Sequence, residues 1–394
     1  MKVILIHQFY STPQAGGALR SWYLARALAD RGITPVVITT HNNADVRVTH
    51  EDGIDVHYLP VIYNNRFGFF KRIYSFGKFV WNTVTYAGRF RDAHLVYAIS
   101  TPLTTGLAAI WIRWRYRIPY VFEVGDLWPD APIQLGIVRN PILKWILYGL
   151  EKKIYQKATV VVALSPSIQK TIQQRVPGKP VNVLPNMADT QFFSPQEKPR
   201  ELEARYGVGK KFVVSYLGTL GLANGLDYLM DCARACRDKN LPVHFLIAGD
   251  GLVRDHLEES ISKFNITNIT LLPFQNREGI HEILSVTDAV MVCFQPVPVL
   301  ETGCPNKLFD GLAAGKLIII NFGGWLQSLL EENHFGIAVN PHHAEAFAGV
   351  IQEFIENPKK LKSYQEAARQ LAEREFSRTW LSEQFVAIIK ATVD

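Results

Sequence analysis

Short apolar segments of strand length alternate with helix-length segments along nearly the whole chain. In the first half, the strand-like segments cover residues 3–7, 36–40, 56–59, 95–98, 120–123 and 160–164. A first helix is predicted over residues 17–31 from a helical repeat of apolar positions, which are Ala18, Trp22, Ala25 and Leu28. Strands that alternate with helices in this way are typical of a mostly parallel, doubly wound α/β sheet.

The second half of the chain repeats the same pattern. Its strand-like segments cover residues 212–217, 243–248, 269–272, 289–293, 317–320 and 337–339. Residues 184–199 contain three prolines and few periodic apolar positions, which suits a linker. At 394 residues the chain is long enough for two α/β cores. We therefore expect two Rossmann-like domains, residues 1–188 and 189–375, with a cleft that faces the carboxyl ends of both sheets.

The charge of the chain is distributed unevenly between these two halves. Residues 1–180 carry 22 Lys and Arg against 10 Asp and Glu, whereas the remainder carries 20 against 26. Opposite signs in the two halves support a division into two domains, and they indicate that the first domain faces an anionic partner.

Composition also bounds where such a protein works. No stretch of 18 or more apolar residues occurs, so no membrane-spanning helix is predicted. The first strand begins at Lys2, which is expected to leave no room for a signal peptide. The four cysteines show no paired metal-ligand spacing and are interpreted as reduced thiols of a cytosolic protein.

One segment of the first half combines cations with large aromatic side chains. Between Arg66 and Arg117 there are nine Lys and Arg and one acid. The residues predicted to contact an anionic membrane surface are Arg66, Phe69, Phe70, Lys71, Arg72 and Trp81. In the alternative, Phe70, Ile73 and Tyr74 pack inward and the basic residues are only solvated. Single-stranded nucleic acid suits such a composition too, but no nucleic-acid partner is predicted.

Several short motifs occur in a fixed order along the chain. They are Gly16-Gly17, the segments at residues 123–129, 185–189, 216–225 and 248–251, and Cys304-Pro-Asn-Lys-Leu-Phe-Asp310 followed by Ala313-Ala-Gly-Lys316. In this order and spacing the whole chain resembles family-4 glycosyltransferases, in particular bacterial enzymes that add amino sugars to lipid-linked O-antigen or capsule precursors. The resemblance implies the GT-B fold and retention of the sugar's anomeric configuration. It also implies that residues 376–394 form a helix that crosses back to the first domain.

The resemblance assigns a donor-nucleotide site to the second domain. It implies that the carboxylate of Asp310 accepts hydrogen bonds from both ribose hydroxyls; the alternative is a solvated acid near a helix start. The other residues it places around the donor nucleotide are Gly218, Gly221, Asn224, Gly249, Asp250, Phe274, Gln275 and Leu308.

Four carboxylates are candidates for contacts with the transferred sugar or the acceptor hydroxyl, and they are Glu301, Asp126, Glu123 and Asp130. Where the family usually carries a second acid this chain has Thr302, so its neighbour Glu301 is the candidate, unless it is an exposed loop carboxylate. Asp126 follows a buried-looking strand, where loops often carry function. In the alternative, Asp126 caps the next segment and Glu123 pairs with an arginine.

Binding of the donor diphosphate must differ from the common family pattern. Thr219 and Asn224 stand where many family members carry an arginine and a lysine. The expected replacements are Lys307, which is also a catalytic candidate, the backbone amides around Gly221, and those at Gly16 and Gly17, which are expected to open the first helix.

The chemistry predicted from these residues needs no metal or other cofactor, because the chain has no Asp-x-Asp pair and no evident catalytic dyad. A donor phosphate oxygen would take the proton of the acceptor hydroxyl. The resemblance implies a UDP-sugar donor, such as an N-acetylated amino sugar, and a polyprenyl-diphosphate-linked acceptor at the inner face of the plasma membrane. The alternatives are a non-hydrolysing UDP-sugar epimerase and a non-catalytic subunit that binds lipid-linked sugar or nucleotide.

Overall fold

The computed structural model describes residues 1–17, 19–64 and 66–393. Ala18, one of the predicted apolar helix positions, therefore lies outside the described residues. The described chain forms two β-sheets, each covered by helices, and both sheets belong to α/β domains. The predicted fold class is confirmed.

The first sheet has eight strands in the order β3-β4-β2-β1-β5-β6-β7-β8. The strands are β1 Lys2–Ile6, β2 Thr34–His41, β3 Arg47–Glu51, β4 Ile54–Pro60, β5 Leu95–Ile99, β6 Tyr120–Val124, β7 Val160–Ala163 and β8 Val181–Val183. Every pairing is parallel except that of β3 with β4. Its helices are α1 Arg20–Ala29, α2 Phe69–Tyr86, α3 Thr105–Tyr116, α4 Asp130–Gln134, α5 Pro141–Lys157 and α6 Pro166–Arg175.

The helices of the first domain cover both faces of its sheet. The chain moves outward from β1 to β2 in one direction and from β5 through β6 to β7 in the other. Because parallel crossovers are right-handed, α1 covers one face, and α3 and α5 cover the opposite face. α2 packs on α3, and α3 packs on α5, so these three helices form one layer.

The second sheet is entirely parallel, with six strands in the order β11-β10-β9-β12-β13-β14. They are β9 Phe212–Leu217, β10 Val243–Ala248, β11 Ile269–Leu272, β12 Ala289–Val292, β13 Leu317–Ile320 and β14 Gly336–Ala338. The helices that follow the first domain are α7 Arg200–Tyr206, α8 Asp227–Asp238, α9 Arg254–Lys263, α10 Arg277–Ser285, α11 Asn306–Ala313, α12 Trp325–Asn333, α13 Ala344–Glu356, α14 Pro358–Arg374 and α15 Arg378–Val393.

The chain passes between the two sheets twice, and the two crossings lie side by side. Ala188 pairs with Ser377 in an isolated parallel bridge, and the amide of Ala188 donates to the carbonyl of Phe376 at 2.8 Å. Met187 and Ala188 are buried. The segment interpreted as a linker is therefore partly packed into the protein and not wholly exposed.

The last helix, α15, packs against α1 of the first domain. The ring of Phe385 meets the ring of Tyr97 edge to face at 5.0 Å between centroids, and Arg31 pairs with Glu383 at 3.3 Å. The end of the chain therefore covers the face of the first sheet that α1 occupies.

All twelve predicted strands are present, and two strands were missed. Residues of β3 are mostly exposed and polar, because this strand is an antiparallel edge that buries neither face. β8 has three residues and one exposed side chain, too short for an apolar pattern. The first helix begins at Arg20, so Gly16 and Gly17 precede it and do not open it.

Candidate functional site

A pocket of about 550 Å³, a volume that includes open solvent, lies between the two domains. The first domain and the linker contribute Gly16, Gly17, Leu19, Arg20, Tyr23, Met187 and Phe193. The second domain contributes Gln275, Asn276, Arg277, Ile280, Asn306 and Asp310. All strands except β3 are parallel within their sheets, and ligands of such folds bind outside the carboxyl ends of parallel strands, so this cleft is the expected ligand position.

At Gly16 the backbone of the first domain comes close to the second domain. Gly16 and Gly17 have φ values of +74° and +89°, a region that favours glycine. A Cβ at Gly16 would lie 2.9 Å from the Cα of Asn276 and 3.1 Å from the ring of Phe274. No side chain fits at Gly16, which is buried, so the backbone of this turn is held against the second domain. The amide of Gly16 donates to the carbonyl of Thr12 at 3.0 Å, so it is already paired within the first domain.

Asp310 is the carboxylate of this pocket. It lies in the second turn of α11, whose cap residue is Pro305. Burial raises the pKa of Asp310 to about 7, and the positive charge of Arg277 opposes that rise. A half-buried carboxylate in a cleft is suited to accept hydrogen bonds from ligand hydroxyls.

Arg277 is a pocket residue that sequence reasoning missed. Its guanidinium lies 3.7 Å from the ring centroid of Phe192 and pairs with Asp189, which is buried in the linker. The hydroxyl of Tyr23 also donates to Asp189 at 2.9 Å. Desolvation lowers the pKa of Arg277. No local pattern marks this arginine, because its partners come from the linker and from α1.

Lys307 lies beside the end of β9 and does not line this pocket. Its ammonium nitrogen is 3.7 Å from the ring centroid of Tyr216, and burial lowers its pKa to about 8. A Cβ at Gly218 would be 3.4 Å from its Cε. The Gly218 loop also touches Gly249, where a Cβ would lie 1.9 Å from the Gly218 carbonyl oxygen. These three predicted donor residues are therefore brought together.

The remaining predicted nucleotide residues divide into two groups. Gln275 lines the pocket, and Phe274, which is 53% exposed, lies beside Gly16. Outside the pocket, Gly221 precedes a short helical turn, Leu222–Asn224, in which the side-chain amide of Asn224 donates to the Thr219 carbonyl at 3.0 Å. Leu308 is fully buried, so its side chain faces the core.

Asp250 forms a direct contact between the domains. Its carboxylate accepts a hydrogen bond from Arg66 at 3.0 Å, and each side chain is 51% exposed. The pKa of Asp250 is lowered by this contact. Arg66, predicted to face acceptor and membrane, is therefore directed at the donor-side loop.

Glu301 lines a different pocket from Asp310. It lies in a short helical turn, Pro298–Thr302, and the pocket beside it is also lined by Asn321, Phe322 and Gln327. Its carboxylate lies near Gly323. The two pockets share no described lining residue, so the structure does not bring Glu301 and Asp310 into one pocket.

Asp126 and Glu123 of the first domain differ in burial, since Asp126 is exposed and Glu123 is buried. The exposed Asp126 lines neither pocket, Thr101 donates to its carboxylate at 3.4 Å, and desolvation by its neighbours raises its pKa. Glu123 is buried and accepts two hydrogen bonds from Arg20, both at 2.9 Å, and one from Tyr97. The alternative in which Glu123 pairs with an arginine is the one the structure contains.

The predicted membrane-facing residues are mostly directed outward. Phe70 is 84% exposed, Tyr74 72% and Trp81 69%, while Ile73 is 49% exposed. The alternative in which Phe70, Ile73 and Tyr74 pack inward is therefore wrong. Phe69 and Lys71 are also exposed, whereas Arg72 is half-buried and donates to the carbonyl of Phe67 at 2.8 Å.

In the described part of the chain, no helix is both long enough and apolar enough to cross a bilayer. Within the same residues, no group of three or more His, Cys, Asp and Glu side chains lies together in a form that could hold a metal ion. The expectation of a metal-free reaction stays a prediction.

Solved structures place this architecture in a known class. The chain aligns with sucrose-phosphate synthase from Thermosynechococcus elongatus at a TM-score of 0.80 and 18% identity, over 99% of this chain and 98% of that one. It aligns with Anabaena Alr3699/HepE, solved in complex with UDP-glucose, at a TM-score of 0.72 and 19% identity, over 99% of this chain and 100% of that one. The fold is the GT-B fold of glycosyltransferases.

Family comparison then covers most of the sequence. Residues 15–187 match the glycosyl transferase 4-like domain, and residues 199–371 match glycosyl transferases group 1. The chain therefore contains a glycosyl transferase 4-like domain followed by a glycosyl transferases group 1 domain, on the GT-B fold.

Two curated relatives align with part of the chain. Alpha-D-kanosaminyltransferase of Streptomyces kanamyceticus is 24% identical over 258 residues, 64% of this chain and 64% of that protein. The glycosyl transferase WcaI of Escherichia coli (strain K12), named for colanic acid biosynthesis, is 27% identical over 281 residues, 68% and 67% respectively. The chain thus spans just under two thirds of the first relative.

Proposed function

We propose that this protein is a retaining glycosyltransferase that moves a sugar from UDP to a lipid-linked saccharide acceptor. The observation that carries the proposal is the pocket between the domains, where the Gly16 backbone of one domain meets Asn276 and Asp310 of the other. Such a pocket can hold a nucleotide on one wall and present its phosphates to the opposite wall.

In this proposal the second domain binds the nucleoside. Asp310 accepts hydrogen bonds from the ribose hydroxyls, and Phe274 and Gln275 lie against the base. Lys307 and the amide of Gly17 bind the diphosphate, in place of the missing arginine and lysine, whereas the amide of Gly16 already donates to the carbonyl of Thr12 at 3.0 Å. Structures of HepE with UDP-glucose and with UDP support a uridine nucleotide.

The proposed reaction requires little acid–base chemistry from side chains. The acceptor oxygen attacks the anomeric carbon on the face from which UDP departs, and the acceptor proton passes to a phosphate oxygen of the leaving group. Bound cations and amides stabilise the departing diphosphate in the closed cleft. Asp126, which is exposed just after β6, orients the acceptor hydroxyl, and Glu301 contacts the transferred sugar only if the loop that carries it moves.

The substrate classes are supported by the names of the relatives and by the surface of the first domain. One relative is named for transfer of a kanosaminyl group and another for colanic acid biosynthesis, which suits an amino-sugar donor and surface-polysaccharide synthesis. The exposed aromatic side chains of α2 suit an acceptor held in an anionic membrane, at its cytoplasmic face.

The test is a panel of UDP-, GDP- and CMP-sugars, each incubated with and without polyprenyl-diphosphate-GlcNAc while nucleotide release is measured. Acceptor-dependent release of UDP is expected, and NMR of the product should show the donor's anomeric configuration. An inverted product would contradict retention. Conversion of the donor without acceptor would favour an epimerase, and binding without release would favour a non-catalytic subunit.

A further inference from the structure

Helix α5 exposes an apolar stripe that has no partner among the described residues. Ile142 is 68% exposed, Trp145 76% and Ile146 50%. Their spacing places them on one face of the helix. The opposite face is packed, because Ile154 is buried so closely against α3 that a Cβ at Gly106 would lie 2.6 Å from it. The stripe therefore belongs to a helix held firmly in place.

This stripe lies at the end of α5 that is close to the cleft. The side chain of Gln134, at the end of α4, accepts a hydrogen bond from the amide of Val299 in the second domain at 3.0 Å. α5 begins only a few residues later, at Pro141. A helix that follows a parallel strand begins at the carboxyl edge of the sheet, which here borders the cleft.

The charges around the stripe have one sign. Residues 136–157 contain five basic side chains, Arg139, Lys144, Lys152, Lys153 and Lys157. Their single acid, Glu151, is buried and paired with Arg175 at 2.6 Å. The solvent therefore meets an apolar stripe flanked by cations, which is complementary to an anionic lipid surface and unlike the charge-depleted core of a protein interface.

Helix α2 presents a second stripe of the same kind in the same helical layer. Phe70, Tyr74 and Trp81 are its most exposed members. The start of α2 is also beside the cleft, since Arg66 contacts Asp250 of the second domain just before it. α3 lies between α2 and α5, so the two stripes border one surface.

We propose that Ile142, Trp145 and Ile146 of α5 insert into the headgroup layer of an anionic bilayer, as a second contact beside α2. Two contacts on separate helices would set the orientation of the domain on the membrane, so that the cleft opens toward the lipid surface. The purpose of this orientation rests on the proposed function, because it would deliver a lipid-linked acceptor to the cleft. The membrane contact itself does not depend on that function.

The test is flotation of the full-length protein with vesicles of phosphatidylcholine alone or with phosphatidylglycerol. The triple variant Ile142→Ser/Trp145→Ser/Ile146→Ser is expected to lose at least tenfold in its partition onto anionic vesicles. Trp380→Ser is the matched control, because Trp380 is 48% exposed on α15, which covers the other face of the sheet. Its flotation should not change.

A second measurement reports contact with the membrane directly, and not through the loss of vesicle binding in a variant. The four native cysteines are buried, so an environment-sensitive dye on Ile146→Cys reports one position. Its emission should shift to the blue on addition of anionic vesicles, while a dye on Trp380→Cys should not respond. Unchanged flotation of the triple variant, or equal responses at both positions, would overturn the proposal. The proposal would also be overturned if the triple variant lost self-association but kept its flotation, because the stripe would then bind a second copy of the chain.

Neither measurement needs catalytic turnover. If flotation succeeds while no donor sugar releases nucleotide, the proposed function fails and the membrane contact stands. If nucleotide release succeeds while flotation fails, the membrane contact alone is overturned.

Discussion

The ammonium nitrogen of Lys307 lies 3.7 Å from the ring centroid of Tyr216, at the carboxyl end of β9. This contact holds a cation beside the loop in which Thr219 and Asn224 are both uncharged. The protein therefore keeps a positive charge close to the expected diphosphate position, but supplies it from α11 and not from the loop itself.

Replacement of Lys307 tests that role. A charge-assisted hydrogen bond contributes about 1.5–3 kcal/mol, so Lys307→Met should lower kcat/KM for the donor by roughly 10- to 150-fold. Lys263→Met is a matched control, since Lys263 also lies over an aromatic ring, that of Phe264 at 5.2 Å, but outside the site. Steady-state kinetics with varied donor concentration measure both variants. Equal values of kcat/KM in the two variants would contradict a role of Lys307 in donor binding.

The pH dependence of donor use follows from two shifted groups. Asp310 has a pKa of about 7, so its carboxylate is lost as the pH falls below that value. Lys307 has a pKa of about 8, so its charge is lost as the pH rises above that value. The profile of kcat/KM, which reports the free enzyme, should therefore be bell-shaped with limbs near these values. In Lys307→Arg the alkaline limb should move upward, and an unmoved limb would assign it to another group.

Asp310→Asn should separate activity from stability. Loss of the carboxylate acceptor should reduce kcat/KM by roughly 10- to 150-fold, by the same estimate for charged hydrogen bonds. Because the folded pKa is raised, the charged form disfavours folding, and stability declines as the pH rises through about 7. Thermal unfolding at pH 8 should therefore show a midpoint at or above that of the wild type. A large loss of stability would mean that Asp310 serves the fold.

Gly16→Ala should impair the closed cleft. A Cβ at Gly16 would lie 2.9 Å from the Cα of Asn276, in addition to the strain of a positive φ. Gly32→Ala isolates the strain, because Gly32 has a φ of +70° and nothing within 4 Å of the added atom. Both variants should lose about 1 kcal/mol of stability in urea unfolding, and only Gly16→Ala should lose most of its activity. Full activity of Gly16→Ala would show that the cleft opens at this point.

The buried pair of Arg20 and Glu123 should matter mainly to stability. Their side chains are 7% and 1% exposed, so Glu123→Gln leaves a buried cation without its partner and should cost about 3–5 kcal/mol. Glu282→Gln, which breaks the exposed pair with Arg205, should cost less than about 1 kcal/mol. Urea unfolding measures both; similar losses would contradict the difference in burial.

The local pattern of the sequence was sufficient to predict every described strand of the second sheet, and all those of the first sheet except β3 and β8. Parallel strands buried on both faces appear as short apolar runs, so all twelve such segments could be predicted. β3 could not, because an exposed antiparallel edge leaves no apolar pattern. The motif residues around Gly16 and Asp310 were also available to sequence reasoning, since their spacing resembles that of a known family.

What only the tertiary structure decided is which side chains share a surface. Arg277 became a pocket residue because the linker places Asp189 and Phe192 beneath it, and no spacing in the sequence records that contact. Glu301 was separated from Asp310 by the course of its loop. The outward stripe of α5 was equally hidden, because helical periodicity identifies an apolar face but cannot show whether the fold covers it.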